Sequence, residues 1–455
     1  MVRVDRRQLL SVIGASGIAA LAGCTGDDSE DDDGGGGDDG TAENGDENGT
    51  TDNGDENGTA ENGDDDGSGD NGSAVEERTI EIGTLLPASG ELSGIGSTMV
   101  DAADLAFSVV DDESEYFDVD ATFGDSQSTP EDGISAANNL TNAGVPAVVG
   151  SAVTNVHIPA SEQVFVPNEM CACSPSATAV TITDIEDDDL LFRTVPSDSL
   201  QGRAMTQYAT QELGVETAAV LHVNDDYGQS LSGSFISSFE DTGGTVQQQV
   251  SYEVEAASYT SRIEQAIQDD PDLLAVVGYA ESGIQLFRDY YAQFDENRDI
   301  LTVDGLDTGR VPNEVGREMD NVVGTTPLSD GPGSDEFASM YRDTFDTGPG
   351  PFNAQTFDSA AVLMLANAAS GENDGRAIAD SMREVANEGE MTVTPENLAE
   401  GIDAAAEGED VVYEGASSQV AFDGNGDLNT AAYEIWQYAP DTERGVETVQ
   451  ELVLE

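Results

Sequence analysis

The stretch "TIEIGTLLPASGELSGIG", residues 79–96, runs from an apolar, β-branched segment through Pro, Gly and Ser into a pattern of small residues. Its first nine residues predict a strand over 79–87. The spacing of Val100, Ala103, Leu105, Ala106 and Val109 predicts a helix over 96–111. The couplet then repeats. "FDVDATFGD" reads as a strand before a helix at 131–143, "PAVVG" before one at 155–166, and "NEMCACS" is a further strand. After "LFRTVPSDS" a second series begins with a helix at 200–213. It continues with "TAAVLHV", a helix at 228–241, "TVQQQVSYE", a helix at 259–269, "LLAVVG", a helix at 282–294 and "DILTVDG". Apolar runs of this length between amphipathic helices signal parallel sheets covered on both faces. Two such series exceed one ordinary core, so the expected class is α/β with two doubly wound parallel-sheet lobes. Toward the end, helices are expected near 335–346, 354–369, 376–387 and 395–406, and strands at 417–422 and 431–438.

The first 78 residues have another character. The apolar run Leu9–Gly23 falls short of the ~20 residues a bilayer span requires, and Arg3, Arg6 and Arg7 precede it, so 1–23 reads as a signal peptide. Arg6-Arg7 resembles a twin-arginine export signal, with Asp5 where Ser or Thr is usual. "LAGC" resembles a lipobox, which makes Cys24 the lipid attachment site; an uncleaved anchor with an incidental cysteine is the plain alternative. Two acyl chains hold a protein stably where one does so only marginally. Residues 25–77 lack Phe, Tyr, Trp, Leu and Ile and repeat "TAENGDENG" in variants. Such a segment cannot offset its chain entropy by burial. Residues 24–78 are thus expected to be a disordered acidic tether with a reach of ~40 Å. Asn48, Asn57, Asn71 and Asn139 stand in glycosylation sequons.

Charge narrows the function. The chain carries 92 acidic residues against 15 basic ones, a formal net charge of −77, and contains no lysine. Self-repulsion of that size becomes tolerable only when molar salt shrinks the screening length to ~3 Å, which points to a halophile. Nucleic-acid binding is excluded for want of basic patches. A phosphate-loop lysine and Schiff-base chemistry are excluded outright. His157 and His222 are the only histidines, so no His-centred catalytic motif can be built, and the expectation is a protein that is not an enzyme. Cys171 and Cys173, two apart on one strand face, read as buried inert thiols. "DGNGDLNTAAYE", residues 423–434, lacks the Gly that a Ca²⁺ loop needs at its sixth position and reads as a turn between strands.

In open α/β sheets, ligands sit beyond the carboxyl ends of the strands. The loops there in the first series ("PASGELSGIG", "GDSQSTP", "GSAVTNV", "SPSAT") are rich in hydroxyls and suit an anion such as a carboxylate. Those in the second ("NDDYGQS", "GYAESG", "VDGLDTG") supply Tyr227, Tyr279, Asp225, Asp226, Glu281 and Asp304, and suit a cation. A zwitterion between two lobes would satisfy both.

Together with "VVGSAVTNVHIPASEQ", "CSPSATA", "LFRTVPSDSLQG" and "FDGNGDL", these pieces resemble the branched-chain amino-acid binding proteins of ABC transporters. These form a type I periplasmic binding-protein family, and the likeness spans residues 79 to about 440. It implies two lobes joined by a three-stranded hinge, one formed by 79–195 plus 328–418 and the other by 196–327 plus 419–455. It further implies an α-carboxylate held at Thr154 or Asn155 and at Ala177 and Thr178, and an ammonium held by Asp304, where many relatives have Glu. Tyr279 would cover the ligand and Tyr227 line the cleft. The shorter Asp304 would seat the ligand deeper or bridge through water. The likeness implies no cofactor and no catalysis. The implied partners are ABC permease subunits with a separate ATPase, and the implied location is the extracellular membrane face, reached through a lipid anchor. A sensory module of the same fold and a non-binding surface glycoprotein are the competing readings. Each site residue also has a plain one: Asp304 as a turn cap, Thr154 and Asn155 as helix caps, Tyr279 as edge packing, Glu281 as a solvated first-turn acid.

Overall fold

The computed structural model describes residues 75–294, 297–428 and 431–454, so the expected signal peptide, Cys24, nearly all of the expected tether and the sequons at Asn48, Asn57 and Asn71 lie outside the described residues. The described residues fall in one compact unit. Its first sheet contains β1 (Arg78–Leu86), β2 (Phe117–Asp125), β3 (Ala147–Gly150), β4 (Cys171–Ser174) and β5 (Leu191–Arg193). They lie in the order β2-β1-β3-β4-β5, all parallel. The second contains β6 (Thr217–Val223), β7 (Thr245–Tyr252), β8 (Leu273–Val277), β9 (Asp299–Val303) and β10 (Val322–Pro327). These lie in the order β7-β6-β8-β9-β10, again parallel. A two-stranded ribbon, β11 (Met391–Val393) with β12 (Val411–Tyr413), stands apart.

The second sheet departs from the purely parallel expectation. β13 (Ala431–Tyr438) and β14 (Val446–Leu454) extend it antiparallel beyond β10. Gly324 of β10 faces Trp436 of β13 across this junction, where any Cβ would lie 2.0 Å from the indole. The bulky ring is accommodated by the missing side chain opposite it.

Composition explains the strand positions. In β8 all five residues are buried, and burying each of its Leu and Val side chains contributes ~1.5–3 kcal/mol. The edge strands β2 and β7 instead mix exposed and buried positions, as half-solvated edges do. Helices α1 (Ser93–Glu113), α2 (Pro130–Asn142) and α3 (Thr154–Ala160) follow β1, β2 and β3. Helices α4 (Asp198–Gln207), α5 (Asp226–Asp241), α6 (Thr260–Ile267), α7 (Ala280–Gln293) and α8 (Arg310–Val315) accompany the second sheet. α9 (Ser334–Phe345), α10 (Asn353–Ser370), α11 (Gly375–Asn387) and α12 (Leu398–Ala406) return to the first, where α10 is buried along almost its whole length.

The strand expected at 417–422 does not form. Asp358 of α10 accepts hydrogen bonds from Ala416 N (2.8 Å), Ser417 N (2.7 Å), Ser417 Oγ (2.6 Å) and Tyr413 Oη (2.7 Å). Asn387 satisfies both main-chain groups of Phe422. Side chains thus claim the backbone that a ladder would use, and a single bridge, Phe422 to Leu428, remains. The turn at 423–427 accordingly links irregular segments rather than strands. Its Asp427 is committed to Arg193 at 2.6 Å. Cys171 and Cys173 are free and buried; burial pushes the Cys173 thiol up to about 12 and Cys171 up as well.

Candidate functional site

Strand order reverses between β1 and β3 in the first sheet and between β6 and β8 in the second. Those switch points are where loops part and a crevice opens. On the first side, the loops after β3 and β4 interlock. Ser174 Oγ donates to Ser151 O (2.7 Å), Ser176 Oγ to Ala152 O (2.7 Å), and Thr178 N to Thr154 Oγ1 (3.2 Å). Ala177 N donates to Ser174 Oγ at 3.0 Å. Arg193, itself buried, donates to Ala177 O and Ala179 O and is held by Asp427, so one guanidinium fixes the shape of this loop. Thr154 and Asn155 are not helix caps. Val153 occupies the N-cap of α3 without a side-chain cap, and Thr154 Oγ1 instead receives the Thr178 amide.

On the second side, Asp304 lies beyond β9 with 3% exposure. Its carboxylate accepts from Tyr227 Oη (2.9 Å) and Gln201 Nε2 (2.7 Å). Gly305 allows this placement, since a Cβ there would meet the Gly278 carbonyl at 2.3 Å. Tyr227 stacks on Tyr279 with centroids 5.6 Å apart, and Tyr279 Oη donates to Asp225, the residue whose carboxylate caps α5. Burial raises the Asp304 and Asp225 carboxyls above their ordinary range. The structure therefore joins Asp304, Tyr227 and Tyr279 in one cluster and Thr154, Ala177 and Thr178 in another. Val180 N donates to Ser230 Oγ of α5 at 3.0 Å and brings the two sides together.

A residue the sequence reading passed over lies between them. Asp198, the first residue of α4, is fully buried, and its amide donates to Thr178 O at 2.8 Å. The Thr178 and Ser230 hydroxyls lie against its carboxylate, while the side-chain oxygens Gln201 Oε1 and Asn155 Oδ1 have no hydrogen-bond partner. Burial pushes the Asp198 carboxyl up to about 7, and the nearby Asp304 charge adds to the shift. Buried polar atoms are almost always paired, so a buried carboxylate held by hydroxyls, with open amide oxygens on Gln201 and Asn155, suits a polar ligand. In sequence Asp198 looks like any first-turn acid after the Ser197 cap; its burial was the only cue, and burial is not written locally. Glu281 is partly exposed and bound by Arg310. Among the described residues no group of three or more His, Cys, Asp or Glu is placed to hold a metal ion. A cavity of about 240 Å³ near Pro196, Pro327 and Ser417 shares no lining residue with the cluster.

Comparison with known proteins decides the family, because a family model described as periplasmic binding protein matches residues 79–401. The chain belongs to the periplasmic binding-protein family. This binding protein is 27% identical over 311 residues to a Leu/Ile/Val-binding protein homolog of Brucella suis, covering 67% of this chain and 82% of the relative. It is 24% identical over 315 residues to a chemotactic signal transduction system substrate-binding protein of Halobacterium salinarum, covering 66% and 71%. The branched-chain amino acid transporter substrate-binding protein LivJ of Streptococcus pneumoniae, solved with isoleucine, superposes with a TM-score of 0.67 at 21% identity. That match covers 82% of this binding protein and 99% of LivJ, and it shows a shared fold. The two sheets with flanking helices are thus the type I periplasmic binding-protein fold.

Among the described residues no helix is long and apolar enough to cross a membrane. His157 is buried against Ser151 N, and burial lowers its imidazole to about 3. His222 contacts its neighbour's carbonyl.

Proposed function

We propose that this chain captures a small zwitterion, an amino acid of the branched-chain type, between its two sheet-and-helix halves and delivers it to an ABC permease. The observation that carries the reading is the Asp198 carboxylate, buried beside Asp304 and held by the Thr178 and Ser230 hydroxyls rather than by a cation. Two acids without a neighbouring ammonium favour a cationic group. The Thr178 hydroxyl and the loop at Thr154, Asn155 and Ala177 favour the carboxylate end. Tyr279 and Tyr227 would close over the ligand. The names of the relatives, Leu/Ile/Val-binding and substrate-binding, support the same class.

In this reading the jaws are 79–195 plus 328–418 and 196–327 plus 419–455. The protein is non-catalytic, carries its export signal and Cys24 lipid at the N-terminus, and works in molar salt on the extracellular membrane face. Permease subunits with a separate ATPase are its partners. The Halobacterium relative favours a second reading, delivery of the ligand signal to a membrane transducer. A thermal-shift screen of amino acids in molar potassium chloride tests the first claim: branched-chain amino acids should raise Tm by several degrees. Loss of import on deleting the chain separates transport from signalling.

A further inference from the structure

The geometry points to Glu91 as a latch: its carboxylate, carried by the loop after β1 of the first sheet, caps helix α7 of the second and holds the two halves closed around the ligand. The proposal rests on the binding-protein reading above. Helix α7 starts with Tyr279 at its N-cap, which makes no side-chain cap. The first amides of a helix have no partner within it. Here the third, Ser282 N, donates to Glu91 Oε2 at 3.2 Å, and the Ser282 hydroxyl donates to the same oxygen at 2.7 Å. The cap therefore comes from 191 residues away, across the crevice rather than from the helix's own lead-in. A carboxylate at this end also gains from the helix dipole. Glu281, the acid nearest on α7, is engaged by Arg310.

The loop that presents Glu91 is braced independently. Ser89 N and Oγ donate to Asp125, Leu92 N donates to Ser128 Oγ, and Ser128 Oγ donates to Ser89 O. Gly90 adopts φ +88°, and a Cβ there would meet the Gln127 carbonyl at 2.2 Å, so only glycine serves this turn. A rigid turn thus aims one acid at the first turn of α7, whose N-cap Tyr279 makes no side-chain cap. Opening the crevice breaks both bonds and strips α7 of its cap; closing restores them. Glu91 is a positioning residue, acting on the ligand through closure.

The test is a distance measurement between spin labels on the full chain in molar salt. Cys24→Ser removes the one cysteine outside the described residues, and Cys171 and Cys173 are buried. Labels go on Ser135→Cys of α2 and Gln265→Cys of α6, both exposed, with L-leucine as the probe. Glu91→Ala should lower the ratio of closed to open molecules about threefold or more and speed leucine dissociation by a similar factor, with association unchanged. Glu91→Gln, which keeps an acceptor, should restore part of the loss. Ser282→Ala should fall between, and Glu91→Ala with Ser282→Ala should be no worse than Glu91→Ala alone. Distributions identical to wild type in folded Glu91→Ala, with and without leucine, would overturn the latch. If Glu91→Ala opens the unliganded chain while leucine shifts no variant, the latch stands and the amino-acid reading falls.

Discussion

The loops ending the first sheet and those ending the second obey one positional rule but carry opposite chemistry. On the first side, Ser151, Thr154, Ser176 and Thr178 contribute hydroxyls and main-chain groups, and the buried cation Arg193 is spent on Asp427 and on loop carbonyls. On the second side stand Asp225, Asp304 and two tyrosines, with Asp198 at the boundary. On the proposed reading, the difference polarises recognition: a ligand with one negative and one positive end has a single favourable orientation. The cost falls on the acidic side, where buried carboxyls are raised. The neutral side carries no such burden.

Removing the acidic anchor should break this polarity most severely. Asp304→Ala deletes the acceptor for Tyr227 and Gln201 and, on the proposed reading, the ammonium partner. Calorimetry with L-leucine should show a loss of about 2–3 kcal/mol, roughly 30–150-fold. An affinity within twofold of wild type would place the positive end elsewhere.

Asp198→Asn should cost about tenfold in affinity and also change the pH profile. The Asp198 carboxyl titrates at about 7 in the folded chain against an ordinary 3.8, so the empty protein holds it neutral below that pH. Binding an ammonium requires the carboxylate, so leucine affinity should rise between about pH 5 and 8 with proton release, and Asp198→Asn should flatten the rise. Stability runs the other way. With the folded value above the unfolded one, the contribution is fully present below about pH 4 and is lost as pH climbs through about 7. The Tm of the unliganded wild type should fall over that interval, less so in Asp198→Asn.

On the first side, Thr178→Val removes a hydroxyl that lies against the Asp198 carboxylate and should weaken leucine binding about 3–10-fold, by ~1 kcal/mol. Thr178→Ser should retain most of it. Tyr279→Phe leaves the stack on Tyr227 but frees Asp225, which still caps α5. Equilibrium titration should register a change of about threefold or less.

Much of this architecture was legible in the residues because burial and period coincide. β6 and β13 match "TAAVLHV" and the 431–438 run, and β2 matches "FDVDATFGD". Helix ends were less so: α3 and α4 hand over to π turns at Ser161–Phe165 and Tyr208–Glu212, so the long helices expected there are split. The segment 417–422 misled because its hydrogen bonds come from Asp358, 59 residues before Ser417, and from Asn387, 35 before Phe422. Asp198 and Glu91 stayed hidden for a related reason. Each is a polar residue in a loop or first turn, and its meaning arises from contacts between halves.

Two-ended recognition is tested most directly by calorimetry in molar potassium chloride with L-leucine, its amine without the carboxylate and its keto acid without the amine. Leucine should bind, while both single-ended analogues lose affinity about a hundredfold or more. An analogue lacking either end that binds as tightly as leucine would contradict the account.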